Sequence, residues 1–67
     1  MFSKNKLSAK IVENGFTMKD IAERLGINQA TLYRKMNSET DFTRNEISML
    51  KDCLHFSLDE MNDIFFA

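Results

Sequence analysis

The sequence predicts an all-α fold, a compact domain of five short helices. Three observations predict it. A helix-start signal recurs five times along the chain. The apolar residues between these signals follow the helical period of about 3.6 residues. A chain of 67 residues has room for one hydrophobic core, so residues 1–67 are predicted to form a single domain.

The start signals place the helices. In three of them, a hydroxyl residue that can cap the first turn is followed three positions later by an acid that can accept a hydrogen bond from the cap's N–H. These pairs are Thr17 with Asp20, Thr43 with Glu46, and Ser57 with Glu60. Ser3 and Asn28 repeat the cap without the acid. Helices are therefore predicted to begin near residues 4, 18, 29, 44 and 58.

The first predicted helix runs from about Lys4 to Glu13 and ends at Asn14-Gly15. Leu7 and Ile11 lie on its apolar face. The outer side carries a row of lysines: Lys4, Lys6 and Lys10. Solvent exposure is the simpler interpretation of these lysines, and a DNA phosphate contact by one of them is the alternative.

The stretch from Thr17 to Asn37 predicts two helices joined by a sharp turn, Met18 to Leu25 and Gln29 to Asn37. Gly26 stands at the corner, because a residue without a Cβ atom enters the left-handed conformation there at little cost. The small side chain of Ala22, four positions before Gly26, lets the two helices approach closely. The pair is therefore predicted to form a bent helical hairpin.

The spacing of small and apolar residues across this turn resembles the helix-turn-helix of the phage repressor and Cro family, the lambda-repressor-like DNA-binding domains. The matching positions are Ile21, Ala22, Leu25, Gly26, Ile27 and Leu32, with Gln29 at the start of the second helix. The resemblance implies a lambda-repressor-like five-helix domain from a small phage or prophage regulator. Helices 2 and 3 would be the helix-turn-helix, and helix 3 would enter the DNA major groove.

Two positions depart from that family's pattern. Met18 stands where relatives often have a polar residue that touches a phosphate. Lys35 replaces a usual apolar residue, and Met36 is expected to take over its packing role.

The outward face of helix 3 supplies most of the candidate DNA contacts. With Leu32 and Met36 inward and about 100° per residue, Arg34 points most directly away from the core. Its guanidinium can donate two hydrogen bonds to guanine, and the Gln29 amide can pair with adenine or a phosphate. Tyr33 offers a hydroxyl to phosphate, with a half-buried aromatic beside the core as the alternative. The predicted DNA-binding residues are Thr17, Asn28, Gln29, Ala30, Thr31, Tyr33, Arg34, Asn37, Ser38 and Arg44.

Residues 37–42 lack periodicity and are predicted to form a loop after helix 3. By the resemblance, this loop and the next turn run along the DNA backbone, which makes Thr40 a further phosphate candidate. Glu39 and Asp41 oppose that interpretation, because carboxylates repel phosphate.

The last two predicted helices differ in role. The fourth, Arg44 to about Leu54, is expected to close the core with Ile47, Leu50, Cys53 and Leu54. The fifth, about residues 58–66, ends in the apolar cluster Ile64, Phe65 and Phe66. We predict a homodimer contact through this cluster, with packing of Phe65 or Phe66 onto helix 1 as the alternative. By the resemblance, a dimer would bind two half-sites about 34 Å apart.

Charge is unevenly distributed along the chain. The net charge is −1, yet residues 1–51 hold all nine Lys and Arg with six acids, a net of +3. Residues 52–67 hold four acids and no Lys or Arg, a net of −4. The distribution favours a DNA-facing part and a final helix that is repelled by phosphate, and chance scatter of surface charge is the alternative.

The predicted function is a sequence-specific, double-stranded DNA-binding transcriptional regulator, a Cro-like or repressor protein of the bacterial cytoplasm. The alternative is a helix-turn-helix protein-binding module, an anti-repressor or co-regulator, that acts on another regulator. An enzyme is not expected, because no nucleophile, base and orienting group occur together.

No cofactor, metal or small-molecule substrate is expected either. Cys53 is interpreted as a small buried hydrophobe and His55 as a helix-end residue, since neither has partners at ligand spacing. The chain has no run of about 18 apolar residues and no signal-peptide pattern, so neither a membrane span nor export is expected.

Overall fold

A computed structural model of the chain describes residues 1–66, which form five α-helices and, within that range, no strand. The helices are α1 (Lys4–Glu13), α2 (Met18–Leu25), α3 (Gln29–Met36), α4 (Arg44–Leu54) and α5 (Leu58–Phe65). All five begin where the start signals predicted, and α3 and α5 each end one residue earlier than expected. The predicted all-α fold is confirmed.

Local hydrogen bonds explain why the starts were predictable. At each of the five N-termini, the cap side chain accepts a hydrogen bond from the N–H three residues later. Capping boxes form at Thr17, Thr43 and Ser57. At α4, for example, the Thr43 N–H donates to Glu46 Oε1 at 2.8 Å and the Glu46 N–H donates to Thr43 Oγ1 at 3.2 Å. Each box satisfies donors that a helix end would otherwise leave open.

The corner between α2 and α3 has the geometry that the sequence predicted. Gly26 lies in the left-handed region at φ 70°. Its N–H donates to the Glu23 carbonyl at 3.1 Å, and the Ile27 N–H donates to the Ala22 carbonyl at 3.0 Å. This pair of bonds ends α2 and turns the chain into α3. Ala22 is buried, and α2 and α3 pack together there.

One hydrophobic core receives side chains from every helix. Its buried members are Leu7, Ile11, Ile21, Ala22, Leu32, Met36, Leu50, Leu54, Phe56, Ile64 and Phe65. The beginning and end of the described chain meet at this core. The Ser3 N–H donates to the Ile64 carbonyl at 2.6 Å, and the rings of Phe2 and Phe65 lie 5.5 Å apart.

Helix α4 differs from its predicted buried stripe. Leu50 and Leu54 are buried as expected, but Ile47 and Cys53 are only partly buried. Glu46 is buried instead, because it faces a lysine on α3. The prediction that His55 is a helix-end residue is confirmed, since it caps α4 in the left-handed region at φ 56°.

Candidate nucleic-acid interface

Helix α3 presents the face that the helical period predicted. Leu32 and Met36 are buried, and Ala30, Tyr33 and Arg34 are exposed on the other side. The Arg34 guanidinium makes no hydrogen bond or ion pair with any other residue in 1–66. All five of its N–H donors are therefore available to an external acceptor.

The caps of α2 and α3 flank this face. The Asn28 Oδ1 accepts the Thr31 N–H at 2.8 Å, which leaves the Asn28 amide NH₂ group to donate outward. The Thr17 hydroxyl accepts the Asp20 N–H at 3.2 Å and also hydrogen-bonds the Asp20 carboxylate. The Thr17 backbone N–H donates to the Asp20 carboxylate and lowers the pKa of that carboxyl. Asp20 therefore stays ionised at the start of α2.

Three other predicted side chains of α3 have different exposures. Gln29 is exposed beside Ala30, with no side-chain partner in the described part of the chain. Thr31 is partly buried, so less of it faces outward than predicted. Tyr33 is 46 % exposed, an intermediate position between the phosphate-contact interpretation and that of a half-buried flanking aromatic.

The loop after α3 places its polar side chains at the surface. Ser38 adopts a left-handed conformation at φ 63° and ends the helix. Asn37 accepts a hydrogen bond from Lys4 Nζ at 2.9 Å. Thr40 and Arg44 are exposed, and so are the carboxylates Glu39 and Asp41. These two exposed carboxylates would repel a DNA phosphate that approached the loop.

Cations of the chain fall into two groups. On one side of the domain, lysines of α1 pair with acids of α5, Lys6 with Asp63 at 2.7 Å and Lys10 with Glu60. The hydrogen bond that Lys10 donates to the Glu60 carboxylate raises the pKa of the Lys10 ammonium. All three lysines considered as alternative phosphate contacts of α1 thus have intramolecular partners, since Lys4 donates to Asn37. By contrast, Arg34 and Arg44 have no carboxylate partner within residues 1–66.

The structure adds Lys19 to the candidate contacts. This lysine lies on the first turn of α2, is exposed and has no ion-pair partner in the described chain. Its position two residues after the Thr17 cap was a usable signal, because an outward cation there stands next to the free N–H groups of the helix start. The sequence interpretation assigned it no role.

The Lys35 side chain is not on the exposed surface of α3. Its ammonium lies 3.0 Å from Glu46 Oε1, and both side chains are 11 % exposed. The packing role predicted for Met36 is confirmed, because its side chain is buried in the core. The ion pair between α3 and α4 was not predicted.

The three residues of the predicted dimer cluster differ in burial. Ile64 and Phe65 are 2 % and 8 % exposed inside this protomer, because they pack in the core with Phe2 and Phe56. This burial leaves little of either side chain for the predicted dimer contact, and Phe65 packs within the protomer against rings that lie outside α1. Phe66 is 61 % exposed and remains the candidate dimer contact.

Phe66 lines a groove of about 490 Å³ between α4 and α5. The other lining residues are Arg44, Ile47, Ser48, Lys51 and Met61. The surface of the groove is largely apolar and lies beside the cations Arg44 and Lys51.

Other site types find little support in the described residues. No group of three or more His, Cys, Asp or Glu side chains within residues 1–66 could hold a metal ion. None of the helices there is both long enough and apolar enough to cross a membrane.

A family model described as bacterial regulatory protein, Fis family, matches residues 1–38, which is more than half of the 67-residue chain. The chain belongs to the Fis family of bacterial regulatory proteins. The match contains α1, α2 and α3 and therefore the whole helix-turn-helix, whereas α4 and α5 lie beyond it. No curated protein and no solved structure matches the chain.

The family assignment confirms part of the prediction and refines the rest. The chain has a helix-turn-helix DNA-binding domain of a regulator, as predicted, and the family is one of regulators, not of enzymes. The matching family is the Fis family, not the phage repressor and Cro family.

Proposed function

We propose that this Fis-family protein is a sequence-specific transcriptional regulator that binds double-stranded DNA by inserting α3 into the major groove. The observation that carries the proposal is the outward face of α3, which is free of acids and presents Arg34 without an intramolecular partner. An unpaired guanidinium on a short exposed helix suits a bidentate hydrogen bond to guanine O6 and N7.

The residues around Arg34 divide into base and phosphate contacts. Gln29 is assigned to adenine or to a phosphate, and the small Ala30 lets the helix approach a thymine methyl. Phosphate contacts are assigned to donors at the two helix starts and in the loop. These donors are Thr17, Lys19, Asn28, Tyr33, Asn37, Ser38 and Arg44, with the partly buried Thr31 contributing its exposed edge.

A homodimer that reads paired half-sites is the finer part of this proposal. The exposed Phe66 and the adjoining α4–α5 groove supply an apolar surface for a two-fold contact. Two recognition helices about 34 Å apart would then meet successive major grooves on one side of the duplex. As part of the same proposal, we assign the protein a Cro-like or repressor role in the bacterial cytoplasm and an origin in a phage or prophage.

Direct titration tests the proposal. The protein is added to labelled duplex from the intergenic DNA of its own operon, at two salt concentrations, with a scrambled duplex as control. We expect a dissociation constant of about 10⁻⁸ to 10⁻¹¹ M for the site and affinity that falls steeply with salt. Equal, weak binding to both duplexes would contradict it, and footprinting would locate the site.

The α4–α5 groove favours one second candidate, a module that docks on another regulator. Arg44 and Lys51 line that groove and have no carboxylate partner in residues 1–66, so an apolar, acidic segment fits it. The same titration separates the two functions, because a docking module would bind neither duplex tightly.

A further inference from the structure

We infer that the ion pair between Lys35 and the buried Glu46 sets the orientation of the recognition helix α3. The inference rests on the proposed DNA-binding function for its consequence, but not for its geometry. It assigns part of the DNA discrimination to Glu46. This residue is not among the proposed DNA contacts and lies outside residues 1–38, which the Fis family model matches.

Three contacts hold the Lys35 ammonium in place. Its Nζ atom lies 3.0 Å from Glu46 Oε1 and donates to the Asp41 carbonyl at 3.0 Å. It also lies 6.0 Å from the centre of the Phe42 ring, within reach of a cation–π interaction. Lys35 is therefore fixed to the loop as well as to α4.

Glu46 is fixed as firmly on its own side. Its Oε1 atom also accepts the Thr43 N–H at 2.8 Å, as the acid of the α4 capping box. Burial by itself would raise the pKa of the Glu46 carboxyl, but the Thr43 N–H and the Lys35 ammonium outweigh it and the pKa is lowered. The carboxylate is thus charged, and its position is set by the first turn of α4.

The surroundings explain why this pair controls α3. The helix has its most extensive contact with α2, and Leu32 and Met36 bury its inner face in the core. Lys35 connects it to α4, and Arg34 is the next residue in the chain. Because side chains on a helix turn together, movement of Lys35 shifts the Arg34 guanidinium relative to a base edge. Removing one partner of this ion pair leaves the other charge without its partner in a mostly buried place, which favours such a movement.

The same pairing withdraws Lys35 from DNA. A lysine on a recognition helix would ordinarily count as a phosphate contact, but this ammonium is 11 % exposed and already neutralised. We therefore expect Lys35→Arg, which keeps the charge, to bind DNA like the wild type. Lys35→Met should lose site discrimination without losing a phosphate contact, so its salt dependence on scrambled duplex stays that of the wild type.

The decisive variant is Glu46→Gln. Glutamine retains the capping hydrogen bond, because it serves in a capping box as glutamate does, and only the charge is removed. Two measurements are made on folded protein, as judged from its thermal unfolding curve. One is the ratio of affinities for the specific and scrambled duplexes. The other, without DNA, is the set of residual dipolar couplings of the α3 amides relative to those of α1 and α5.

Two control variants separate other effects. Glu39→Gln makes the same change in net charge at an exposed loop position with no side-chain partner in residues 1–66. It should raise the affinities for the specific and scrambled duplexes by the same factor, so that their ratio stays unchanged. Thr43→Ala removes the cap hydroxyl and leaves both charges of the pair in place. A purely structural role for Glu46 would make Thr43→Ala and Glu46→Gln behave alike in both measurements.

We expect Glu46→Gln and Lys35→Met to shift the α3 couplings and to lower the affinity ratio by roughly tenfold, the loss from weakening one base contact. Wild-type couplings in α3 for Glu46→Gln would overturn the inference. If the wild type itself does not discriminate between the duplexes, the proposed function fails instead, and the couplings alone decide whether the pair positions α3. Should Lys35→Met fail to fold, Glu46→Gln decides.

Discussion

The two sides of this domain use their cations differently. On the α1–α5 side, Lys6 and Lys10 pair with carboxylates of α5 and hold the two helices together. On the proposed DNA-binding side, formed by α2, α3 and the start of α4, Lys35 pairs with Glu46, whereas Lys19, Arg34 and Arg44 have no carboxylate partner within residues 1–66. Although the net charge of the chain is −1, these unpaired cations remain available to a ligand on that side, where the carboxylates of Glu39 and Asp41 are also exposed.

Pairing decides which cations are available to a ligand. Net charge alone argues against a polyanion-binding protein, and the count along the chain places Lys6 and Lys10 in the basic part. Only the folded chain shows that these two lysines are paired with carboxylates. If this division holds, substitutions on the α1–α5 side change stability, and substitutions on the proposed DNA-binding side change binding.

The largest expected effect concerns the end of α5. Phe65→Ala should lower the free energy of unfolding by about 3–5 kcal/mol, because it removes a buried ring from the core. Phe66→Ala should lower it by about 0.5 kcal/mol or less, because that ring is exposed. Urea unfolding followed by circular dichroism measures both.

The same pair of variants addresses the proposed dimer. We expect Phe66→Ala to weaken self-association in sedimentation velocity while the fold is kept. Equal losses of stability in both variants would show that the two rings are not divided between core and surface.

The next effect concerns the recognition helix. Arg34→Ala should cost about 1–3 kcal/mol of binding free energy at the specific site and relax discrimination at one base pair. Fluorescence anisotropy with the specific duplex and with single-base variants of it measures both quantities. Unfolding should be unaffected, since the guanidinium has no partner in the described chain. Unchanged affinity and specificity would refute the role given to Arg34.

A smaller effect compares one lysine from each side. Lys19→Ala should reduce the slope of log affinity against log salt concentration by about 0.9, the value for losing one phosphate contact. Lys6→Ala should leave this slope unchanged, because Lys6 is paired with Asp63 on the α1–α5 side. Titrations at four salt concentrations with one duplex suffice. An equal reduction of the slope in both variants would contradict the division of the two sides.

The smallest effect is a pH dependence on the α1–α5 side. The hydrogen bond from Lys10 lowers the pKa of the Glu60 carboxyl, and the Ser57 N–H adds to it. A lowered folded pKa stabilises the protein above the unfolded pKa of about 4.3, and this stabilisation is lost as pH falls through the folded pKa. Glu60→Gln should therefore be less stable than wild type at neutral pH, with the difference vanishing in acid.

Urea unfolding from pH 7 downward measures that difference. Glu39→Gln is the matched control, because Glu39 lies in the exposed loop and has no side-chain partner in residues 1–66. A difference between Glu60→Gln and wild type that stays constant down to strong acid would mean that the Lys10 contact contributes no linkage.

Much of the fold was predictable because its signals are local. The capping residue and its acid lie three positions apart, so the starts at Thr17, Thr43 and Ser57 could be read directly. The turn at Gly26 is equally local, since its left-handed backbone depends on the residue itself. The outward position of Arg34 followed from helical period once the inward positions were known.

The misassignments concern contacts between distant parts of the chain. Glu46 was interpreted only as a capping acid, yet it is buried against Lys35 of another helix. Phe65 and Phe66 were assigned together to one dimer cluster, yet Phe65 is in the core and Phe66 is exposed. Lys6 and Asp63 pair across 57 positions, a separation at which no local pattern operates.

Capping, backbone conformation and helical period act within about four residues, so the helix starts, the turn from α2 into α3 and the polar face of α3 were readable from the local sequence. Which charges are neutralised and which aromatic rings are buried could be seen only in the packed helices. Those outcomes depend on which helices pack side by side, and an ion pair or a core contact exists only when that packing brings distant side chains within a few ångströms.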